Sequence, residues 1–192
     1  MILSHKIRIY PNREQEQFLK KSCGVARFAY NWGLAEWQTC YENGAKPDWM
    51  KLNKLFNLIK KREFPFVCEV PCCVSNLALS NLNKAYRNFF NRRAKFPRFK
   101  KKWIHDSFGL TNNSFSVFNK HVKLPKIAQM RMAEPLRFDG KIMSGTVSRV
   151  ADKWYISIAV EVKKDLTLPK TGKYVGVDLG VKDIAITSDG CK

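Results

Sequence analysis

The stretch Trp154-Tyr155-Ile156-Ser157-Ile158-Ala159-Val160-Glu161-Val162 alternates large apolar side chains with small or polar ones. This period of two places Trp154, Ile156 and the apolar residues after them on one face, so it predicts a half-buried β-strand. Residues 151–153 supply a turn from a preceding strand. The other strand candidates in this half of the chain are Ser114 to Phe118, His121 to Leu124 and Ile142 to Val150. Several short antiparallel strands predict a small β-barrel.

The amino terminus carries an isolated strand pattern that would complete this barrel. From Ile2 to Tyr10, Ile7 and Ile9 alternate with Lys6 and Arg8, and Pro11 then ends the run. If this isolated strand joins the others, it completes the barrel. The residues between the two parts of the barrel would then form an insertion.

That insertion has helical periodicity. Asn12 is expected to cap a first helix in a reciprocal pair with Gln15, and Gly24 is expected to kink this helix or divide it in two. Asp48 is a predicted cap for a second helix. A third helix is predicted from the spacing of its apolar residues, which are Val74, Ala78, Leu82, Ala85 and Phe89.

The predicted fold class is therefore α+β, with a small antiparallel β-barrel and an inserted helical module. Residues 1–11 and 105–168 form the barrel in this prediction, and residues 12–104 form the insertion. Leu166 to Gly172 is predicted to be a linker. Residues 170–192 begin a further unit, with two strands at Tyr174 to Leu179 and Ile184 to Thr187.

The charge of the chain indicates a polyanionic partner. Its 192 residues carry 35 lysines and arginines against 16 acids, a net charge of +19. Such an excess concentrates nucleic acid near the protein. The sequence contains no signal-peptide pattern and no apolar run long enough to span a membrane. We therefore expect no membrane partner. We expect a cytoplasmic, nucleoid-associated location.

The stretch from Lys84 to Lys102 contains nine lysines and arginines and no acid. Aromatic residues lie among its cations, including Trp103 at its end, and such a mixture can hold phosphates while the rings stack on bases. The candidate nucleic-acid-binding residues of this stretch are Lys84, Arg87, Arg92, Arg93, Lys95, Arg98, Lys100, Lys101, Lys102 and Trp103. Arg8 and Arg27 are two further candidates elsewhere in the chain.

Asp178 is the candidate catalytic and metal-binding residue. It interrupts the apolar run from Tyr174 to Leu179, which has the composition of a buried strand. A carboxylate there must be hydrogen-bonded, paired or bound to a metal. Gly180 allows close approach of a ligand, and the arrangement suits a hard cation such as Mg²⁺. Cleavage through two metal ions needs several carboxylates, so Asp178 alone is insufficient.

Neither the cysteines nor the histidines form a pattern of metal ligands or of a nucleophile with its base. The six cysteines lack a paired C-x2-C spacing, and we expect reduced thiols without zinc. His5, His105 and His121 are interpreted as structural residues or surface contacts.

Taken in order, a set of segments resembles the TnpB family of transposon-encoded proteins, the OrfB-type transposase accessory proteins. This family consists of RNA-guided DNA nucleases and is similar to compact type V CRISPR effectors. The matching segments are Arg8-Ile9-Tyr10-Pro11 with Glu14-Gln15, Gly24-Val25-Ala26-Arg27-Phe28, Asn31-Trp32, Ala85-Tyr86, Phe89-Phe90, Phe96-Pro97-Arg98-Phe99-Lys100, Ser107-Phe108, Leu124-Pro125-Lys126, Trp154-Tyr155-Ile156-Ser157 and Gly176-Val177-Asp178-Leu179-Gly180.

The resemblance implies a wedge-like barrel with a recognition-like helical insertion, followed by the first strands of an RNase H-like RuvC domain. Asp178 corresponds to the first catalytic acid of that domain, which uses Mg²⁺. Guide RNA and target DNA are the implied partners, with the protein reading mainly shape and backbone. The later acids and the cysteine-based zinc ribbon of the family have no counterpart here. We therefore expect an N-terminal portion, inactive as a nuclease on its own.

Two other interpretations stay open at this point. The helices predicted on either side of Gly24 could form a helix-turn-helix, which would make the chain a stand-alone DNA-binding regulator or a transposase-associated DNA-binding protein. Asp178-Leu179-Gly180 also resembles the first phosphate motif of actin-like and sugar-kinase ATPases, although Val181-Lys182 follow it instead of hydroxyl residues.

Overall fold

The computed structural model describes residues 1–45, 47–163, 172, 174–178, 180 and 186–188. Three helices and nine strands are present in these residues. The helices are α1 (Arg13–Glu42), α2 (Trp49–Glu63) and α3 (Cys72–Phe90), and two short 3₁₀ helices lie at Pro65–Glu69 and Asn112–Ser114. The strands are β1 (Ile2–Tyr10), β2 (Ser107–Thr111), β3 (Ser116–Phe118), β4 (His121–Lys123), β5 (Met130–Met132), β6 (Lys141–Val150), β7 (Lys153–Glu161), β8 (Val177–Asp178) and β9 (Ile186–Thr187).

Seven strands form one antiparallel sheet in the order β2-β6-β7-β1-β5-β4-β3. β7 lies near its centre, where Ile156 is opposite Ile7 of β1 and Val147 of β6. The predicted alternation in β7 is confirmed, because Trp154, Ile156 and the alternate residues after them are buried. The predicted participation of the amino-terminal strand is confirmed as well.

The sheet is curled, and its connectivity shows why. The two edge strands β2 and β3 are consecutive in sequence and are joined only by residues 112–115. So short a connection holds the two edges close together. Phe115 in this connection packs against β6, where a Cβ added to Gly145 would lie 2.8 Å from its ring. The α+β class and the antiparallel sheet are thus confirmed, while the division into the predicted segments stays a prediction.

The helical module is inserted between β1 and β2. α1 begins at the predicted capping box, in which the Asn12 side chain accepts from the Gln15 backbone and the Gln15 side chain accepts from the Asn12 backbone. Asp48 caps α2 as predicted. α1 and α3 pack closely at Gly33, where a Cβ would lie 2.5 Å from Leu79. A larger residue at position 33 would therefore require the Leu79 side chain to move.

The predicted division of the first helix at Gly24 is wrong, whereas the alternative of a kink there stays a prediction. α1 continues as one helix from Arg13 to Glu42. A glycine in a helix costs about 1 kcal/mol, and burial of Cys23, Val25 and Ala26 around it outweighs that cost. The residues flanking Gly24 therefore do not form a helix-turn-helix.

Two strands were not predicted, and one predicted boundary is shifted. β2 and β5 lack a long alternating pattern, and β5 has only three residues. β3 begins at Ser116, because the preceding residues 112–114 form a 3₁₀ turn instead of the start of the strand.

Near the carboxy terminus, two short strands pair with each other, and β8 is exposed whereas β9 is partly buried. Val177 pairs with Thr187 and Asp178 with Ile186, and the Gly176 N–H donates to Ser188 Oγ at 3.0 Å. The expectation of a buried strand here is wrong for the described residues, since Val177 is 56% exposed and Tyr174 is 97% exposed. Two paired residues per strand cannot bury a face. The linker prediction falls largely outside the described residues.

None of the described helices is both long enough and apolar enough to cross a membrane.

Candidate nucleic-acid interface

Residues 84–103, here called the cationic segment, cover the end of α3 and the irregular chain after it. Each of its nine lysines and arginines is exposed. The ion pairs among the described residues include none of these nine side chains. Their charge is therefore not offset by acids of the described chain and is available to a polyanion.

The segment leaves α3 through a tight helix end. The Arg92 N–H donates to the Phe89 carbonyl and the Arg93 N–H to the Asn88 carbonyl, which is the Schellman pattern. Arg92 has φ of 58°, a left-handed conformation that glycine usually occupies at this position. This turn directs the chain away from the helix axis and exposes two arginines at the bend.

Asn31 of α1 tethers the middle of the segment. Its side-chain oxygen accepts from the Lys100 N–H at 2.8 Å, and its side-chain amide donates to the Lys100 carbonyl at 3.0 Å. The Lys100 Nζ lies 4.4 Å from the centre of the Tyr30 ring. Desolvation lowers the pKa of this ammonium group, although much of the lysine residue is exposed. One helix turn thus fixes both the backbone and the side chain of Lys100.

The aromatic residues of the segment divide into anchors and exposed rings. Tyr86 is buried, and Phe96 packs edge-on against Phe89 at a centroid distance of 5.2 Å. Phe99 and Trp103 are more than half exposed. Some of the rings therefore pack against the core, and others are accessible for stacking.

Trp103 is held between cations in a strained conformation. Its ring lies 4.7 Å from Lys102 Nζ and 5.4 Å from the Arg149 guanidinium, and its φ is 68°. Left-handed backbone in a bulky residue is costly, so the surroundings must hold it in place. An exposed indole fixed among positive charges is suited to contact a nucleotide.

Arg27 has a different environment from the other candidates. Its Nη1 donates to Asp106 Oδ1 at 2.9 Å, and the two side chains are only 22% and 13% exposed. The Asp106 carbonyl also accepts from the Arg149 N–H at 2.9 Å. The pair links α1 to the strands, so part of the charge of Arg27 is neutralised by a structural partner.

Arg8 belongs to a second cationic surface that the sequence did not predict as a whole. The outer sheet face, defined here by Lys6, Arg8, Tyr10, Arg131 and Tyr155, lies across β1, β5 and β7. The Arg8 and Arg131 guanidinium groups lie 4.9 and 4.8 Å from the Tyr10 ring, and Lys6 Nζ lies 4.8 Å from the Tyr155 ring. The alternation in β1 predicted that Lys6, Arg8 and Tyr10 share a face. Arg131 was not predicted to join them, because it lies on β5, a strand that was not predicted.

The whole large sheet is poor in acids. Its seven strands, all of them described, contain seven lysines and arginines and one acid, Glu161. Glu161 lies opposite Ile2 and Lys141, away from the end that carries Tyr10. The outer sheet face therefore has the same sign of charge as the cationic segment, although it carries fewer cations and is built on paired strands.

Asp178 lies on β8, and both residues of this short strand are exposed. Among the described residues, no cluster of three or more His, Cys, Asp or Glu side chains has a geometry that could hold a metal ion. A magnesium ion used in phosphodiester cleavage needs several oxygen ligands, and one exposed carboxylate does not fit that requirement. The described residues thus do not make up a Mg²⁺ site by themselves.

The buried side chains of Cys23 and His5 have surroundings that account for them without a catalytic role. Burial raises the pKa of the Cys23 thiol to about 12, so this group is protonated at neutral pH. His5 is buried, with Nε2 at 3.1 Å from Glu134 Oε1, and its Nδ1 accepts from the Arg137 N–H. His5 therefore has a structural role in joining β1 to the segment after β5.

The fold and the surface together define an α+β protein with a helical insertion in a curled antiparallel sheet and two acid-poor cationic surfaces. Residues 1–46 match the family model HTH_OrfB_IS605, described as a helix-turn-helix domain. In this structure those residues contain β1 and one uninterrupted helix.

Two curated relatives match nearly the whole chain. It is 32% identical over 188 residues to "Putative RNA-guided DNA endonuclease InsQ" of Escherichia coli (strain K12), covering 96% of this chain and 47% of that protein. It is 30% identical over 194 residues to "Putative RNA-guided DNA endonuclease" of Streptomyces pristinaespiralis, covering 97% of this chain and 48% of that protein. The chain belongs to the TnpB family and spans about half the length of these relatives.

Proposed function

We propose that this chain binds guide RNA and target DNA, as the nucleic-acid-holding part of an RNA-guided DNA endonuclease. The observation that carries the proposal is the exposure of nine cations in residues 84–102 without an acidic partner in the described chain. The names of the two relatives support the same function. Contacts to phosphates and to the shape of the nucleic acid would come from the protein, and base pairing would supply sequence specificity.

The proposed partners should bind through counterion release. Each phosphate neutralised by a lysine or arginine releases condensed cations, so the logarithm of affinity falls linearly with the logarithm of salt concentration. If about five of the exposed cations contact phosphates, the slope is about −3.5 on single strands and about −4.5 on a duplex. A slope of this size separates a cationic interface from a few incidental contacts.

Asp178 is proposed as one carboxylate of a nuclease site that needs further acids. The described residues do not supply those acids in a cluster. We therefore propose binding, and not cleavage, as the activity of the described part of the chain.

A second candidate function is a DNA-binding regulator that reads duplex DNA without RNA. The helix-turn-helix description of the matching family model favours it. The continuous α1 helix opposes it, because a recognition helix requires a turn before it that lets it enter the major groove separately.

Titration of the 192-residue chain with structured RNA and with duplex DNA over a series of salt concentrations tests the proposal. Tight binding to structured RNA with a steep salt slope is expected. Binding that is independent of salt would contradict the proposed interface. Sequence-selective binding to duplex DNA with no affinity for RNA would instead support the regulator.

A further inference from the structure

An aromatic cleft lies where the ends of α1 and α3 meet. Two adjoining cavities of about 700 and 370 Å³ share Trp37, Tyr41 and Phe90 in their walls. Both volumes are within the range of about 300–1,000 Å³ that is usual for small-molecule sites. The other lining residues are Gly44, Ala45 and Pro47 on one side and Gln38, Glu42, Tyr86, Phe89 and Phe96 on the other.

The cleft is built by two helix ends of the same type. α1 ends with the Gly44 N–H donating to the Tyr41 carbonyl and the Ala45 N–H to the Cys40 carbonyl, which repeats the Schellman pattern at the end of α3. The segments that follow α1 and α3 both turn sharply away from their helices at these points. The space between the last helical turns is left open, and the aromatic residues of those turns line it.

The floor of the cleft is rigid and its walls are exposed. Trp37 is buried and stacks on Tyr86 with a centroid distance of 4.3 Å and an interplanar angle of 11°. Tyr41 and Phe90, in contrast, are 66% and 60% exposed. Large aromatic rings so exposed around a cavity mark a binding site more often than isolated surface residues do.

The charge beside the cleft indicates what it binds. Phe90 is followed within five residues by Arg92, Arg93 and Lys95, all exposed and without an acidic partner among the described residues. Cations next to exposed aromatic rings are the arrangement that holds a phosphate backbone while a base stacks. An apolar peptide would make no use of these charges.

We propose that the cleft accepts one unpaired nucleobase of the bound nucleic acid, between Tyr41 and Phe90 and over Trp37. This inference rests on the proposed function and adds a base-binding subsite to it. Gln38 and Glu42 are the polar side chains at this wall, and they can accept hydrogen bonds from the exocyclic amino group of a base. The phosphates on either side of that nucleotide would contact Arg92, Arg93 and Lys95.

The test uses a single-stranded RNA that carries a fluorescent adenine analogue whose emission falls on stacking. Binding to the 192-residue chain should quench the emission. The double variant Tyr41→Ala/Phe90→Ala should lose the quenching and bind about tenfold more weakly at high salt, with the salt slope unchanged. Both rings are exposed, so thermal unfolding should be close to that of the parent.

Matched variants separate base stacking from general loss of apolar surface. Leu58→Ala on α2 removes another strongly exposed apolar side chain outside the cleft and should leave quenching unchanged. Tyr41→Phe/Phe90→Tyr keeps two rings and should keep the quenching.

Salt-dependent binding with unaltered quenching and affinity in the alanine variant would overturn the base-binding cleft but leave the proposed function standing. Loss of quenching in Leu58→Ala to the same degree would also overturn it. Absence of salt-dependent binding in the parent chain would overturn the proposed function and the cleft together. Association of two copies that the double variant abolishes, without any effect on RNA, would assign the cleft to self-association instead.

Discussion

The cationic segment lies mostly on irregular chain between α3 and β2, whereas the outer sheet face lies on strands whose pairing fixes the backbone. In the segment, a few tethers decide the path, above all Asn31 at Lys100. On the sheet, the register places Arg8 opposite Tyr155 and Tyr10 opposite Arg131. Similar chemistry is therefore presented once on an adaptable scaffold and once on a rigid one.

Because of this difference, substitutions should affect the positions of the cations differently on the two surfaces. Loss of the Asn31 tether should displace several cations at once, because it removes both side-chain hydrogen bonds to the Lys100 backbone. Loss of one exposed side chain of the outer sheet face should have only a local effect, because main-chain pairing stays intact. We expect cooperative losses on the segment and nearly additive ones on the sheet, except where two side chains contact the same ring.

The largest effect is expected when the scaffold of the sheet is damaged. Ile156→Ala removes a fully buried side chain at the centre of β7 and should lower the free energy of unfolding by about 2–5 kcal/mol. Denaturant unfolding monitored by circular dichroism measures this loss. Ile2→Ala, at a position 60% exposed on β1, is the control and should have little effect. Equal losses in both variants would contradict the assigned register.

Release of the segment should have the next largest effect. Asn31→Ala removes both hydrogen bonds to the Lys100 backbone and should lower RNA affinity by about tenfold, since several cations lose their positions. Lys100→Gln is the control, because it removes one charge and keeps the backbone tether. Equal weakening of RNA binding by Lys100→Gln and Asn31→Ala would show that the hydrogen bonds from Asn31 contribute no more to binding than the charge of Lys100 does.

Single substitutions on the outer sheet face should have smaller effects. Arg131→Gln should weaken RNA binding severalfold and reduce the salt slope by about 1, as expected for one phosphate contact. Arg8→Gln should do the same. The effects of these two changes are expected to be less than additive, because both guanidinium groups lie over the Tyr10 ring. An unchanged slope in both variants would remove this face from the interface.

The smallest effect is expected at the bend after α3. Arg92→Gly relieves the left-handed backbone and should raise the free energy of unfolding by about 0.5–1 kcal/mol, after the entropy cost of glycine is subtracted. It also removes one cation, so RNA binding should weaken slightly while stability rises. Thermal unfolding and RNA titration of the same variant check both signs. A fall in stability would show that Arg92 makes contacts worth more than its strain.

The sequence predicted the features that depend on local pattern. The alternation around Ile156 predicted the central strand, and Asn12 with Gln15 predicted the start of α1, because each signal lies within a few residues. Gly24 misled because tertiary burial outweighed a local helix penalty. β5 has three residues and no periodicity to detect, so Arg131 was missed with it.

The site was predictable only as a list of charges. Nine cations without an acid are visible in the sequence, but the contact of Asn31 with Lys100 joins residues far apart in the chain. The partial neutralisation of Arg27 by Asp106 and the exposure of the Asp178 strand also depend on the folded chain. No local pattern carries this information.

Comparison of two charge-matched triple variants tests the central claim most directly. Lys95→Gln/Arg98→Gln/Lys101→Gln removes three cations of the segment that lack an acidic partner among the described residues. Lys20→Gln/Lys21→Gln/Arg62→Gln removes three that are already paired with Glu16, Glu69 and Glu63. The salt slope of RNA binding should fall by about 2–3 in the first variant and stay nearly unchanged in the second. Equal slopes in the two variants would contradict a specific cationic interface and would leave only the net charge of the protein as the cause of binding.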